Sequence, residues 1–275
     1  MSAAQLQRDG WCVVEDVLDE EAVARARDAL LQAAQGFEAA GGSTYMPELD
    51  PNASNVRVFN LIDLHAVFRE LILHPAAVGL VDSLLGPEYR ISNFTANIAL
   101  PGSRSMALHS DQALVAPPPW LSPWSMNIIW CLDDVYEENG ATRYVPESHL
   151  YQSLDDLPED PMSLSRAFAA PRGSVIAMDG RMWHTSGANT TTDAERALLF
   201  GYYSVDFIRP QVNWNTVLSP QTQAEASEEL AYRLVLGPAS NMGYASDIMA
   251  RDLGRTYAPT GALPMITPPA ESPDP

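Results

Sequence analysis

The sequence predicts a double-stranded β-helix, a cupin-like form of the jelly roll, with helices buttressing one sheet. Two observations carry this expectation. Short β-type runs recur at 91–100, 126–135, 142–146, 173–179 and 197–208, separated by clusters of Gly, Pro, Asn and Asp. The residues before them carry helical signals instead, so that helices precede a mainly β core.

In chain order, residues 9–18 read as a short strand. Asp19, followed by Glu20 and Glu21, is a good helix start, because a capping side chain and acidic residues satisfy the free N–H groups of a first turn. That helix runs through an Ala-rich stretch to about Ala40, and 41–55 lack periodicity and read as a loop. A second helical region covers His65 to Leu85, in which Pro75 can open a new first turn and Gly86 caps the C-terminus. Asn139-Gly140, between two β-type runs, is a strong hairpin signal. A late helix over about 221–236 stops at Gly237 and Pro238, and the Pro-rich stretch 264–275 reads as a mobile tail or extended arm. The expected organisation is one domain over 1–263, with a helical buttress at about 19–86, a jelly-roll core at about 89–210 and the late helix following.

Composition narrows the function. With 46% hydrophobic and 19% charged residues the chain has the balance of an ordinary globular protein. It lacks any apolar run of the roughly 18 residues that a membrane span requires, and its polar start does not resemble a secretory signal, so the expectation is a cytoplasmic protein without a membrane role. A formal net charge of −19 makes nucleic acid a poor partner, since that binding draws on clustered Lys and Arg. Cys12 and Cys131 stand far apart and offer neither a disulfide framework nor a CxxC knuckle, so any metal must be held by His and carboxylates.

Leu108-His109-Ser110-Asp111-Gln112 places a carboxylate two positions after a histidine, and on a strand those two side chains would share a face. Such pairs also arise by chance. This one becomes informative beside His184, which the apolar run 174–179 is expected to deliver just beyond its end. Two imidazoles and one carboxylate form the facial triad of non-haem iron sites, which leaves coordination positions open for co-substrate and oxygen. Arg196 opens the apolar run Ala197 to Val205. A guanidinium pointing inward there needs an anionic partner, and a dicarboxylate gripped by two parallel hydrogen bonds would supply it. The alternative is a surface pair with Glu195 or Asp193, which contributes only about 0 to 1 kcal/mol.

Taken together, several segments resemble the phytanoyl-CoA dioxygenase family of Fe(II)/2-oxoglutarate enzymes and its natural-product branch, over about residues 9–210. They are the Asp9-to-Val14 opening, Leu85-Gly86, Pro101-Gly102 ahead of His109-x-Asp111, the stretch Asn139 to His149, and His184-x-Ser186 with Arg196. The resemblance implies Fe(II) on His109, Asp111 and His184 as the catalytic centre, O2 as co-reactant, and 2-oxoglutarate held at its distal carboxylate by Arg196 and Ser186. It implies a further co-substrate contact from Thr142 and a basic one from Arg57. Where relatives carry Gln or His shortly before the first ligand, this chain has Met106. It is also compatible with a homodimer in which the late helix or tail reaches across.

The remaining candidates have structural readings. His149 is expected to order a loop, His65 and His74 to be satisfied helix residues, and Trp183, Tyr202 and Tyr203 to be core. Trp120 and Trp124, on the Pro-rich loop after the ligand pair, either wall the substrate pocket or simply pack; Met106 is the third pocket-lining candidate. The expected activity is oxidation, by hydroxylation, of an unactivated C–H bond in a small, largely apolar metabolite. Asp111 disfavours a halogenase, which needs a halide in that position. An oxygen-independent cupin isomerase would keep the triad without needing Arg196, and a binding module would need no metal.

Overall fold

The computed structural model describes residues 2–236. Its first sheet is six-stranded and antiparallel, in the order β1 (Trp11–Val14), β7 (Val175–Asp179), β4 (Ser125–Cys131), β9 (Arg196–Val205), β3 (Tyr89–Ala99) and β2 (Asn55–Val58). Facing it, β6 (Arg166–Ala167), β5 (Thr142–Tyr144) and β8 (His184–Ser186) form a second sheet. This is the double-stranded β-helix that the sequence predicts.

Alternation along the strands divides the interior in two. On β4 the side chains of Met126, Ile128 and Trp130 join the helix-side core, whereas Ile129 and Cys131 join the core between the sheets. Strand β7 splits likewise, with Val175 and Ala177 outward and Ile176 and Met178 inward. In β3 a bulge between Ile91 and Asn93 reverses the parity. Tyr89 and Ile91 pack on the helices before it, and Phe94, Ala96 and Ile98 do so after it. Asn93, Thr95 and Asn97 are thereby turned to the inner face, where they line a cavity.

The outer face is covered by α1 (Ser2–Asp9), α2 (Glu20–Ala39), α3 (Leu61–Leu64), α4 (Ala66–Ile72) and α5 (Pro75–Leu85), whose buried residues share one cluster with the sheet. Asp19 caps α2 as expected, accepting from the backbone N–H of Ala22 at 2.8 Å. His65 and His74 cap α4 and α5, their Nδ1 atoms accepting from Val67 N–H and Ala76 N–H, and Pro75 opens α5. A short helix α6 (Asp111–Val115) follows the ligand pair, and α7 (Trp214–Val217), α8 (Pro220–Glu225) and α9 (Glu228–Arg233) close the described chain.

Three local expectations are corrected. Residues 9–18 are not one strand: α1 ends at Asp9, and Gly10 at φ +78° turns the chain into the shorter β1. An added Cβ at Gly10 would stand 2.5 Å from the His149 ring, so close approach as well as φ demands glycine there. Asn139-Gly140 does not close a hairpin, because β4 and β5 belong to different sheets. Its turn carries the chain between the sheets, with Asn139 Nδ2 donating to Asp134 O and Asn139 Oδ1 accepting from Tyr136 N–H. The late helix is broken into α8 and α9, since Ser227 starts a new cap by accepting from Leu230 N–H. The stop at Gly237 and Pro238 and the tail 264–275 lie outside the described residues. Among the described residues no helix is long and apolar enough to cross a membrane.

Candidate active site

His109 and Asp111 do not sit on one strand, contrary to expectation. His109 forms an isolated antiparallel bridge with His184, and Asp111 is the first residue of α6, whose cap is Ser110. His184 follows the end of β7, as expected, but after the chain turns at Gly180 it opens a further strand, β8. The two distant stretches are joined by backbone. His109 N–H donates to His184 O at 3.0 Å and His184 N–H returns a bond to His109 O at 2.8 Å. Gly180 O accepts from Gln112 N–H at 2.8 Å and from Ser110 Oγ at 3.0 Å. A Cβ on Gly180 would lie 2.0 Å from Ser125 Oγ, so only glycine permits this approach.

That scaffold sets the two imidazoles side by side, with ring centroids 4.4 Å apart. Asp111 Oδ1 lies 3.6 Å from His109 Nε2 and Oδ2 lies 3.7 Å from His184 Nε2. One donor atom from each of the three residues falls within 4.8 Å of the others. Both Nδ1 atoms face backbone carbonyls, Ala107 O at 2.9 Å and Met182 O at 3.0 Å, which can only accept. Each Nε2 lone pair is therefore free for a cation, with ring orientation fixed from behind. Asn127 Nδ2 donates to Asp111 Oδ2, and the Tyr202 hydroxyl lies 3.4 Å from Asp111 O.

The electrostatics suit a cation. Burial pushes the Asp111 carboxyl up, but His184, His109 and Asn127 together outweigh it and hold the group below its ordinary value. Burial pulls His184 down against Asp111, whereas at His109 the Asp111 carboxylate outweighs burial and raises it.

Arg196 lies in the same cavity, of about 390 Å³. It is 1% exposed, and its side chain points inward and not to the surface partners Glu195 or Asp193. Glu195 pairs instead with Arg27. Arg196 donates to Asn97 Oδ1 at 3.3 Å and to Gly140 O at 2.6 Å, its Nε is buried without a partner, and no carboxylate pairs with it among the described residues. Burial pushes its pKa down to about 10, helped by Arg57. An unpaired buried cation of this kind is stabilised by an anion, and the carboxylate of a dicarboxylic acid has the matching fork.

The other expected contacts divide. Thr142 and Ser186 are opposite neighbours on β5 and β8, and both line the cavity. Met106 lines it too, held by its N–H donating to Ser186 Oγ at 3.1 Å and its carbonyl accepting from Thr185 Oγ1 at 2.6 Å. Arg57 reaches the cavity, but its guanidinium is taken by the buried Asp50 at 2.9 and 2.8 Å. Trp120 and Trp124 are corrected: neither is among the residues lining the cavity. Trp120 is buried with Val145 and Trp183, its Nε1 donating to Ala116 O, and Trp124 packs edge-on against Phe207. Tyr203 and Trp183 are buried as expected, whereas Tyr202, one residue over on the opposite face of β9, lines the cavity. Asn127 and Asn97 were not foreseen. The signal available was a pair of amides inside otherwise apolar runs, where a buried polar group implies a partner.

An open two-His, one-carboxylate site inside a double-stranded β-helix has the donor set of non-haem iron centres, and 2-oxoglutarate as co-substrate with O2 fits the buried Arg196 that no carboxylate pairs with among the described residues. Comparison with known proteins narrows the class. The phytanoyl-CoA dioxygenase (PhyH) family model matches residues 6–197, and the chain belongs to that family of dioxygenases. Dioxygenase af480 of Aspergillus fumigatus is 44% identical over 241 residues, covering 88% of this chain and 77% of its own. Dioxygenase cdmA of Talaromyces verruculosus is 25% identical over 90% of this chain and 84% of its own. Among solved structures, the non-haem α-ketoglutarate-dependent epimerase SnoN from nogalamycin biosynthesis shares the fold, with a TM-score of 0.60 at 22% identity over 76% of this chain and 82% of its own.

Proposed function

We propose that the protein hydroxylates an unactivated C–H bond of a small, largely apolar metabolite, coupled to conversion of 2-oxoglutarate and O2 to succinate and CO2. The observation that carries this reading is the unpaired, buried guanidinium of Arg196 in the same cavity as the His109, Asp111 and His184 donors. When bound, Fe(II) with 2-oxoglutarate activates O2 for attack on the C–H bond, one oxygen atom entering the substrate and the other the succinate.

This chain's own residues orient and shield. His109, Asp111 and His184 would hold the cation with three donor atoms, a set that leaves positions open for co-substrate and oxygen. Arg196 anchors the distal carboxylate, with Ser186 and Thr142 beside it to donate hydroxyl hydrogen bonds. Arg57 is already neutralised by Asp50, so it shapes the cavity and adds little net charge. Met106 lines the same cavity, its thioether sulfur 3.7 Å from the Arg57 guanidinium.

Anaerobic thermal unfolding with Fe(II), alone and with 2-oxoglutarate, tests the binding half, because a ligand of the native state raises the midpoint by mass action. Both additions are expected to raise it, and Arg196→Gln to abolish only the second increment. Substrate-dependent succinate formation in a metabolite screen, with products identified by mass, tests the hydroxylation. Products of unchanged mass would point to epimerisation instead, and activity without O2 or 2-oxoglutarate would overturn the proposal.

A further inference from the structure

Asn127, Tyr202 and Asn93 lie on one rung of the first sheet. Asn127 of β4 is opposite Tyr202 of β9, which is opposite Asn93 of β3. At one end of the rung Asn127 holds the Asp111 carboxylate. At the other, two strand spacings away or about 10 Å between backbones, stands Asn93. It lies four residues before Asn97, the neighbour of Arg196, which separates it from the co-substrate end by about 13 Å along the strand.

Asn93 is turned into the cavity by the bulge of β3, and Gln211 is held beside it. The Gln211 N–H donates to Ser92 Oγ at 2.9 Å and the Val212 N–H to Ser92 O at 3.1 Å, so this segment is tied to β3 itself. Asn93 Nδ2 donates to Gln211 Oε1 at 3.2 Å. Asn93 Oδ1 is buried without a partner. The pair therefore offers an unmet acceptor, Asn93 Oδ1, beside the donor N–H groups of Gln211 Nε2. Exchanging oxygen and nitrogen in both amides leaves the same complement, one donor and one acceptor.

The buried Asn93 Oδ1 calls for a donor, and a hydroxyl meets it while also accepting from Gln211 Nε2. A carbonyl leaves the acceptor unmet, and a carboxylate faces both that oxygen and Glu48, which lines the same cavity. The cavity also carries the apolar side chains of Leu49, Phe59, Leu114 and Phe200, beside the polar Thr95 and Tyr202. Leu114 is 68% exposed, Leu49 40% and Phe59 39%, an amount of uncovered apolar surface that an apolar ligand body would bury.

We propose that Asn93 and Gln211 read a hydroxyl group on an uncharged, otherwise apolar substrate, placing that hydroxyl at the opposite end of the molecule from the carbon presented to the metal. The substrate is thus already an alcohol, and the reaction class that precedes this enzyme is one that installs an oxygen on an apolar skeleton. The inference rests on the oxygenase reading above.

The test uses a panel of neutral alicyclic alcohols, each paired with its methyl ether and its parent hydrocarbon, assayed for succinate formation with the Fe(II)-loaded protein, 2-oxoglutarate and O2. Wild type is expected to favour alcohols by about 100-fold in kcat/KM, the effect of leaving one buried acceptor unmet in the analogues. Asn93→Leu, and separately Gln211→Leu on the exposed segment, are expected to bring the three members of each set to within about 3-fold. Stabilisation of each variant by Fe(II) with 2-oxoglutarate reports that it is folded and loaded. Alcohols that give no more succinate than their hydrocarbons, or a preference retained in both variants, overturn the inference. Absence of any stabilisation by Fe(II) with 2-oxoglutarate in wild type would overturn the oxygenase reading instead.

Discussion

Asn127 donates a hydrogen bond to Asp111 Oδ2, from the strand that crosses behind the ligand pair. The bond restricts rotation of the one anionic ligand and keeps its charge directed at the imidazoles. Partners of this kind affect metal affinity by about 10- to 100-fold. Asn127→Leu is expected to weaken Fe(II) binding by that factor in an anaerobic titration. Co-substrate affinity, measured at saturating metal, is expected to be unchanged.

Arg196 carries two opposed effects. Arg196→Met removes the anchor of the co-substrate carboxylate, and truncating a buried, hydrogen-bonded charge pair costs about 2 to 5 kcal/mol. The KM for 2-oxoglutarate is therefore expected to rise about 30-fold or more. Without 2-oxoglutarate the same variant is expected to melt higher than wild type, because it no longer buries a charge that lacks an anion. Differential scanning fluorimetry with and without co-substrate shows both signs in one experiment.

Gly180→Ala is expected to damage stability and metal binding together. The new Cβ would meet Ser125 Oγ at 2.0 Å and Ser125 O at 2.7 Å, and Gly180 O is the acceptor that fixes Ser110 and Gln112. Overpacking of this type costs about 1 to 3 kcal/mol. Urea unfolding measures the first effect and Fe(II) titration the second.

His149 is 2% exposed against Gly10, and burial lowers its pKa from 6.5 despite the opposing pull of Asp179. The folded state therefore holds it neutral at a pH where the unfolded chain already takes up a proton. Its contribution is complete above pH 6.5 and is lost as pH falls through the lower folded-state value. In His149→Gln the stability difference from wild type is expected to narrow between pH 7.5 and pH 5.5 in paired urea titrations.

The ligand residues were legible because each carries chemistry that its surroundings make conspicuous: a His-x-Asp pair, a second His after a turn glycine, and an Arg heading an apolar run. How they meet was not. Strand alternation would have aligned His109 with Asp111, but the structure uses a bridge from His109 to His184 and a helix start at Asp111, both dependent on contacts across the fold. The inward stripe of Asn93, Thr95 and Asn97 was hidden for a related reason. A bulge between Ile91 and Asn93 inverts the period-two pattern, so a run read with one parity presents two. Asn139-Gly140 carried a sound turn signal, but local chemistry does not say to which sheet the next strand belongs. Trp120 was placed by proximity to the ligands, and packing with Val145 and Trp183 decided otherwise.

The mutual backbone bonds of His109 and His184, and the carbonyls behind each ring, fix the two imidazoles, and Asn127 fixes the Asp111 carboxylate beside them. Imidazole and carboxylate donors accept several first-row divalent ions, whose intrinsic affinities favour cobalt, nickel and copper over iron. Mismetallation is then a route to inactive protein that leaves the fold intact, so the fraction of working enzyme in a preparation depends on the ionic history of the sample as well as on its folded fraction.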